Sequence, residues 1–327
     1  MAQPDEKKEG VGGARNSARR GGASPPRRKS RLYRILRALA VALYVAIACL
    51  VLALAAVLLS RAYAAEVPRA EHSEGVVIPA GEAPLGSDAA QKAFGYSLSG
   101  QAARKWGWYD HEPRRRVRLP AYWMDLTLVT QQAYGRFIRT TGHRRPYISR
   151  AAYQAQGFLV HPYEAVLPFL WFSDEPVAWL AEHPVTLVSV GDAQAYCAWR
   201  GRQERRICRL PSEDEWEYAA RGAEGRRFPW GDGWEPRRLN SAERGPYTTT
   251  PVKRYPRGRS PHGLYDMAGN LFQWTASVQR PGRHILKGCS WDDDGGICRG
   301  AARHARKSGS RHILIGFRCA CEAESRN

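Results

Sequence analysis

Residues 285–305 read ILKGCSWDDDGGICRGAARHA and gather several kinds of reactive side chain into one short stretch. Cys289 and Cys298 offer two thiols, a donor type suited to soft metals and to redox chemistry. Asp292, Asp293 and Asp294 precede a Gly-Gly turn and could present oxygens to a hard cation. The simpler reading, adopted here, is an exposed acidic turn. Arg303 and His304 add a cation and a titratable ring. Other histidines of the C-terminal loops, His262, His284 and His312, show no H-x-H or H-x-x-x-H spacing and are read as scattered surface residues. Cys319 and Cys321 are too close for a zinc-ligand pair. Strand alternation would turn both toward one face.

The chain has 327 residues, enough for one large domain or two small ones. Its formal charge of +19 first suggests nucleic acid or an anionic surface. The charge is unevenly spread. Residues 1–37 carry eleven Lys and Arg against Asp5, Glu6 and Glu9, with Gly-Gly and Pro-Pro pairs and few apolar residues. They are expected to be a disordered cytoplasmic tail that meets anionic lipid headgroups, with no specific nucleic acid as partner.

The run ALAVALYVAIACLVLALAAVLL, residues 38–59, contains no charge. At 1.5 Å per residue it matches a bilayer core of about 30 Å, and its basic flank should stay cytoplasmic. Residues 38–60 are therefore read as a single-pass signal anchor. A cleavable signal peptide ending near Ala62-Tyr63-Ala64 is the rival. Either way the rest is exported, where disulfides persist. Residues 61–75 are read as a linker, 76–321 as the main domain and 322–327 as a tail.

Within that domain, VVIPAG (76–81) and RVRLPAYWMDLTLVT (116–130) have β-strand composition, the second broken at Pro120. Thr130 can cap a helix that places Tyr134, Phe137 and Ile138 on one face. A second helix starts near Gly191. A third follows the S-x-x-E capping box at Ser212–Glu215, buries a Trp216, Ala219, Ala220 stripe and ends at Gly222. Residues 144–184 read as an irregular, aromatic-rich excursion. Glycine, proline, tryptophan and short β-like runs dominate 223–321. The expected class is α+β, loop-rich and helix-poor.

RLPSEDEWEYAARG (209–222), FPWGD (228–232), HGLYDMAGNLFQWTAS (262–277), LKGCSW (286–291) and IGFRCA (315–320) follow one another in an order that resembles the sulfatase-modifying-factor, or formylglycine-generating-enzyme, family. The resemblance covers roughly residues 76–321 and implies a variant C-type-lectin-like fold. Trp216, Trp230, Trp274 and Trp291 lie in its motifs and should be core.

The family's oxidases convert a peptide cysteine to formylglycine. They use two Cu(I)-binding cysteines, three and eight residues after the serine of a Gly-Gly-Ser turn. Here the serine matches Ser290, the first position is Asp293 and the second Cys298. A carboxylate suits Cu(I) poorly. Cys298 precedes Arg303 by five residues, where the oxidases have eight. That shorter loop is a non-oxidase pattern, usually with an aliphatic residue at the position of Cys298. Cys298 is accordingly read as a small buried side chain, the alternative being a surviving catalytic thiol, and copper is not expected.

The resemblance further implies a Cys197–Cys319 disulfide. Cys208, Cys289, Cys298 and Cys321 are left in any of three pairings. It implies a calcium site at Asp266, Gly269 and Leu271, weakened because the fourth ligand is Gln273 in place of Glu. A second site at Asn240 and Ser241 has Arg244 at its Asp position and is expected to be empty. Trp291, Arg303 and His304 would line the substrate groove. Arg303 either binds substrate or pairs with an Asp of its own loop. Together these features imply a binding module for a peptide, a glycan or an envelope protein. The alternative is a divergent formylglycine-generating or related metal-dependent oxidase acting on a protein or secreted metabolite.

Overall fold

The computed structural model describes residues 28–66, 74–157 and 160–323. The chain divides into two units, Met1–Pro68 and Arg69–Asn327. The described part of the first is one helix, α1 (Arg28–Glu66). The helix takes in residues 28–37 and 61–66, which the sequence assigned to the tail and the linker. The remainder of that tail, 1–27, and the linker residues 67–73 lie outside the described residues, as do 324–327. Large apolar side chains of α1, Leu43, Tyr44, Leu50 and Leu52 among them, are exposed. Among the described residues no helix is long and apolar enough to cross a membrane. The uncharged run 38–59 itself lies on the helical backbone of α1.

The second unit begins with β1 (Gly75–Ile78) and β2 (Gly81–Leu85), followed by α2 (Ala89–Leu98) and α3 (Gln101–Lys105). Then come β3 (Arg115–Leu119), β4 (Tyr122–Asp125), α4 (Gln131–Thr141) and α5 (Arg150–Gln154). The 144–184 excursion otherwise holds two 3-10 turns, Tyr163–Phe169 and Ala178–Leu180. Next are α6 (Val190–Glu204), β5 (Cys208–Arg209) and α7 (Glu213–Arg221). After α7 run β6 (Phe272–Arg280), β7 (Arg283–Lys287), β8 (His304–Lys307), β9 (Ile315–Gly316) and β10 (Ala320–Glu322).

Three sheets result, with strand orders β1-β4-β10-β5, β2-β3 and β8-β7-β6-β9. Pairing is antiparallel except between β6 and β9. Pro120 separates β3 from β4, which join different sheets.

The caps predicted at Thr130 and Ser212 form: Thr130 accepts from the Ala133 amide and Ser212 completes a capping box, while Ser189, not read from the sequence, completes another. Tyr134, Phe137 and Ile138 of α4 enter the largest apolar cluster, with Tyr196 and Cys197 of α6 and Trp274 of β6. The helix α7 departs from its predicted one-sided stripe. Besides Trp216, Ala219 and Ala220 it buries Glu213, Glu215, Glu217 and Arg221. Most of the helix is enclosed, and all of its charges except Asp214 are buried. The helix α2, capped by Asp88, was not read from the sequence; its Phe94, Tyr96 and Leu98 pack partly buried against the largest apolar cluster.

Candidate functional site: the 288–303 loop

The loop leaves β7 at Gly288, whose left-handed φ of 72° is accessible to glycine at no cost. Its cysteines are not free. Cys289 and Cys298 are joined, with Cα atoms 4.8 Å apart, and both are fully buried. This corrects the reading of Cys298 as a lone packing side chain: it packs as half of a disulfide. The clue was available. Cys289 stands where the family turn has its second glycine and Cys298 where an aliphatic residue is usual, so both depart from the pattern together.

Asp293 accepts from the Ser290 amide at 2.8 Å and from the Ser290 hydroxyl. Burial pushes its carboxyl up to about 6, with the Ser290 bonds opposing and the Asp292 and Asp294 charges adding to the rise. Asp292 meets His161 Nε2 at 3.0 Å. Asp294 accepts from Ser99 Oγ at 2.7 Å and from the Gly296 amide at 3.0 Å. The aspartates are therefore half-buried fasteners tying the loop to α2's C-terminus, to residue 161 and to itself, not an exposed acidic turn. Gly296 is required for that closure, since a Cβ there would lie 2.0 Å from Ser99 Oγ.

Arg303 pairs outside its own loop. Its Nε lies 2.5 Å from Glu213 Oε1, its Nη2 donates to Glu213 Oε2 at 2.9 Å and its Nη1 to the His111 carbonyl at 3.1 Å. Neither sequence alternative named that partner, which lies 90 residues away in the chain. His304, on β8, stacks on Phe272 at 5.6 Å, and burial lowers it to about 4. His312 is also buried, and burial lowers it to about 3. His284 bonds Ser308 Oγ at 2.8 Å. Trp291 is buried beneath the loop and contacts His161 at 5.1 Å. Trp216 and Trp274 are core as expected, while Trp230 is partly buried and stacks on Phe228.

The donors at the thiol positions do not fit Cu(I): one is a hydrogen-bonded carboxylate and the other a disulfide sulfur. Neither expected calcium place offers a full ligand set. Asp266 Oδ2 is buried without a partner, and burial pushes the carboxyl up to about 7 despite Arg318 nearby. The Oε1 of Gln273 already accepts from Trp216 Nε1 at 2.8 Å and Arg318 Nε at 2.7 Å, and its Nε2 donates to the Asp266 carbonyl at 2.6 Å. One carboxylate beside a guanidinium, with the fourth ligand occupied, is a poor calcium site. At the other place Asn240 Oδ1 and Ser241 Oγ are buried without partners, and Arg244 is exposed. Such oxygens can ligate calcium, but with Arg244 at the carboxylate position the place lacks the negative charge the ion favours. Among the described residues no cluster of His, Cys, Asp or Glu could hold a metal.

The remaining cysteines pair as Cys197–Cys319, as the family pattern implied, and Cys208–Cys321. Cys208 and Cys321 are direct cross-strand partners of β5 and β10. Cys319 reaches α6 through Cys197, and the Cys321 sulfur lies 3.3 Å from Arg200 of α6. Both sulfurs thus face that helix, as alternation required.

The fold, the disulfide to α6 and the turn after β7 are those of a sulfatase-modifying-factor domain. The chain belongs to that family: residues 60–323 match the Sulfatase-modifying factor enzyme 1-like domain. It is 32% identical over 252 residues to the mouse inactive C-alpha-formylglycine-generating enzyme 2, covering 64% of this chain and 78% of that one. It is equally 32% identical over 313 residues to the formylglycine-generating enzyme of Streptomyces coelicolor, covering 79% and 91%. Identity therefore does not separate active from inactive relatives. The fold is shared with PvdO from Pseudomonas aeruginosa, at a TM-score of 0.58 and 22% identity over 78% of this chain and 96% of that one.

Proposed function

We propose that this chain is a binding member of the family, held on the outer side of a cytoplasmic membrane by residues 38–60, and not a copper oxidase. One observation carries the proposal: the two positions that would supply thiolates hold Asp293, engaged by Ser290, and Cys298, engaged by Cys289. The free cysteine among the described residues is Cys49, in α1. The ligand would be a peptide, a glycan or an envelope protein, bound without calcium or copper. The second reading, a divergent oxidase, is favoured by the extent of the match to the Streptomyces enzyme. Incubation of the protein with a cysteine-containing sulfatase-type peptide, oxygen and copper should yield no formylglycine by mass spectrometry. Its catalytic appearance would reinstate the oxidase.

The anchor is supported by the uncharged run on helical backbone, its apolar side chains exposed, and by the basic residues before it. Three disulfides in the domain fit an oxidising compartment. The basic tail would add attraction to anionic headgroups. Protease added to intact cells should degrade the domain and spare the tail, whereas a tail cut from outside contradicts this topology.

A further inference from the structure

A cavity of about 400 Å³ opens where the excursion after α4 meets the start of α6. Arg144, Arg145, Tyr147, Asp174 and Arg311 contribute to its wall. The buried carboxylate of Asp192 organises the cations. His143 Nε2 at 2.9 Å and Arg144 Nε at 2.8 Å meet its Oδ1, while the Ser189 amide at 2.8 Å and Arg311 meet its Oδ2.

Three arginines therefore surround two aspartates, a surplus of one positive charge without counting His143. The surplus is not spent internally. Arg145 approaches Asp174 only to 3.9 Å with both side chains well exposed, a pairing of little energetic value. Arg144 uses Nε and Nη2 on Asp192 and Ser189, and among the described residues its Nη1 makes no hydrogen bond. Tyr147 meets Phe172 edge-on at 6.2 Å, and both rings are exposed. The Arg145 guanidinium and the spare Nη1 of Arg144, beside an open aromatic pair, match a planar monoanion attached to an apolar ring. The volume lies in the range of small-ligand sites.

We propose that this cavity binds a carboxylate carried beside an apolar ring, the carboxylate held by Arg144 and Arg145 and the ring set against Tyr147 and Phe172. The inference rests on the binding-module reading and gives it a ligand class.

Titration calorimetry on the full chain in detergent micelles tests it, with benzoate as probe and methyl benzoate, acetate and inorganic phosphate as comparisons. Benzoate should bind and methyl benzoate should not. Arg145→Ala, which removes no buried contact, should weaken benzoate by about tenfold, and Arg145→Lys should restore part of that loss. Phe172→Ala should weaken benzoate while leaving acetate unchanged. Absence of benzoate binding, equal binding of the ester, or phosphate bound at least as tightly would overturn the assignment. Peptide oxidation is read in its own assay and would overturn the binding-module reading independently.

Discussion

Replacing Glu217 by alanine should destabilise the domain by about 3–5 kcal/mol, the cost of stranding buried charge. Glu217 is fully buried on α7 and accepts from the Gly86 amide at 2.7 Å, from Arg221 at 2.5 Å and from Lys287 Nζ at 2.9 Å. Lys287, at the end of β7, is itself fully buried. Loss of the carboxylate leaves that ammonium with the Ala301 carbonyl at 3.2 Å and Glu213 at 3.9 Å. Combining Glu217→Gln with Lys287→Met removes both charges and should be milder than Glu217→Ala alone, as measured by denaturant unfolding.

The same group sets an acid limit. Burial works against the charged form, but Lys287, Arg221 and the Gly86 amide outweigh it and hold the carboxyl at about 2, below its ordinary 4.5. A depressed folded pKa stabilises the fold in full above 4.5, and that stabilisation is lost as pH falls from 4.5 toward about 2. The size is on the order of 3 kcal/mol. Glu217→Gln should flatten stability over that window, and an unchanged acid limb would contradict the assignment.

The second large effect is in the paired disulfides that fasten the C-terminal strand. Cys197–Cys319 and Cys208–Cys321 close loops of 122 and 113 residues. Their ends nearly coincide, since Cys197 and Cys208 are eleven residues apart and Cys319 and Cys321 two. With one bond intact, the other closes only a short additional loop. Removing either should therefore cost about 3 kcal/mol, and removing both about 8 kcal/mol on chain-entropy grounds. Serine substitutions made singly and together, followed by denaturant unfolding, measure this. A double variant no worse than the singles would contradict it.

Local signals in the sequence were sufficient for much of the fold. Thr130 and Ser212 act on amides three residues away, so their helices could be read from neighbours alone. Pro120 divided two strands for an equally local reason. The family motifs placed the turn at Gly288–Ser290 and the α6–Cys319 disulfide. What escaped depends on contacts distant in sequence. Glu217 and Lys287 are 70 residues apart, and Arg303 and Glu213 are 90 apart. A charged residue in a helix reads as solvent-facing until a second element is known to cover it. The Cys289–Cys298 pair is the exception, because its two departures from the family pattern lie nine residues apart in one loop.

The central claim is that this loop offers no two-thiolate copper site. Anaerobic Cu(I) titration against a competing chelator, with the disulfides intact and a cysteine-containing sulfatase-type peptide present, tests it most directly. The account predicts no tight stoichiometric binding and no thiolate–copper absorption arising from the protein. Tight binding of one Cu(I) by two protein thiolates, abolished in Cys298→Ala, would contradict it.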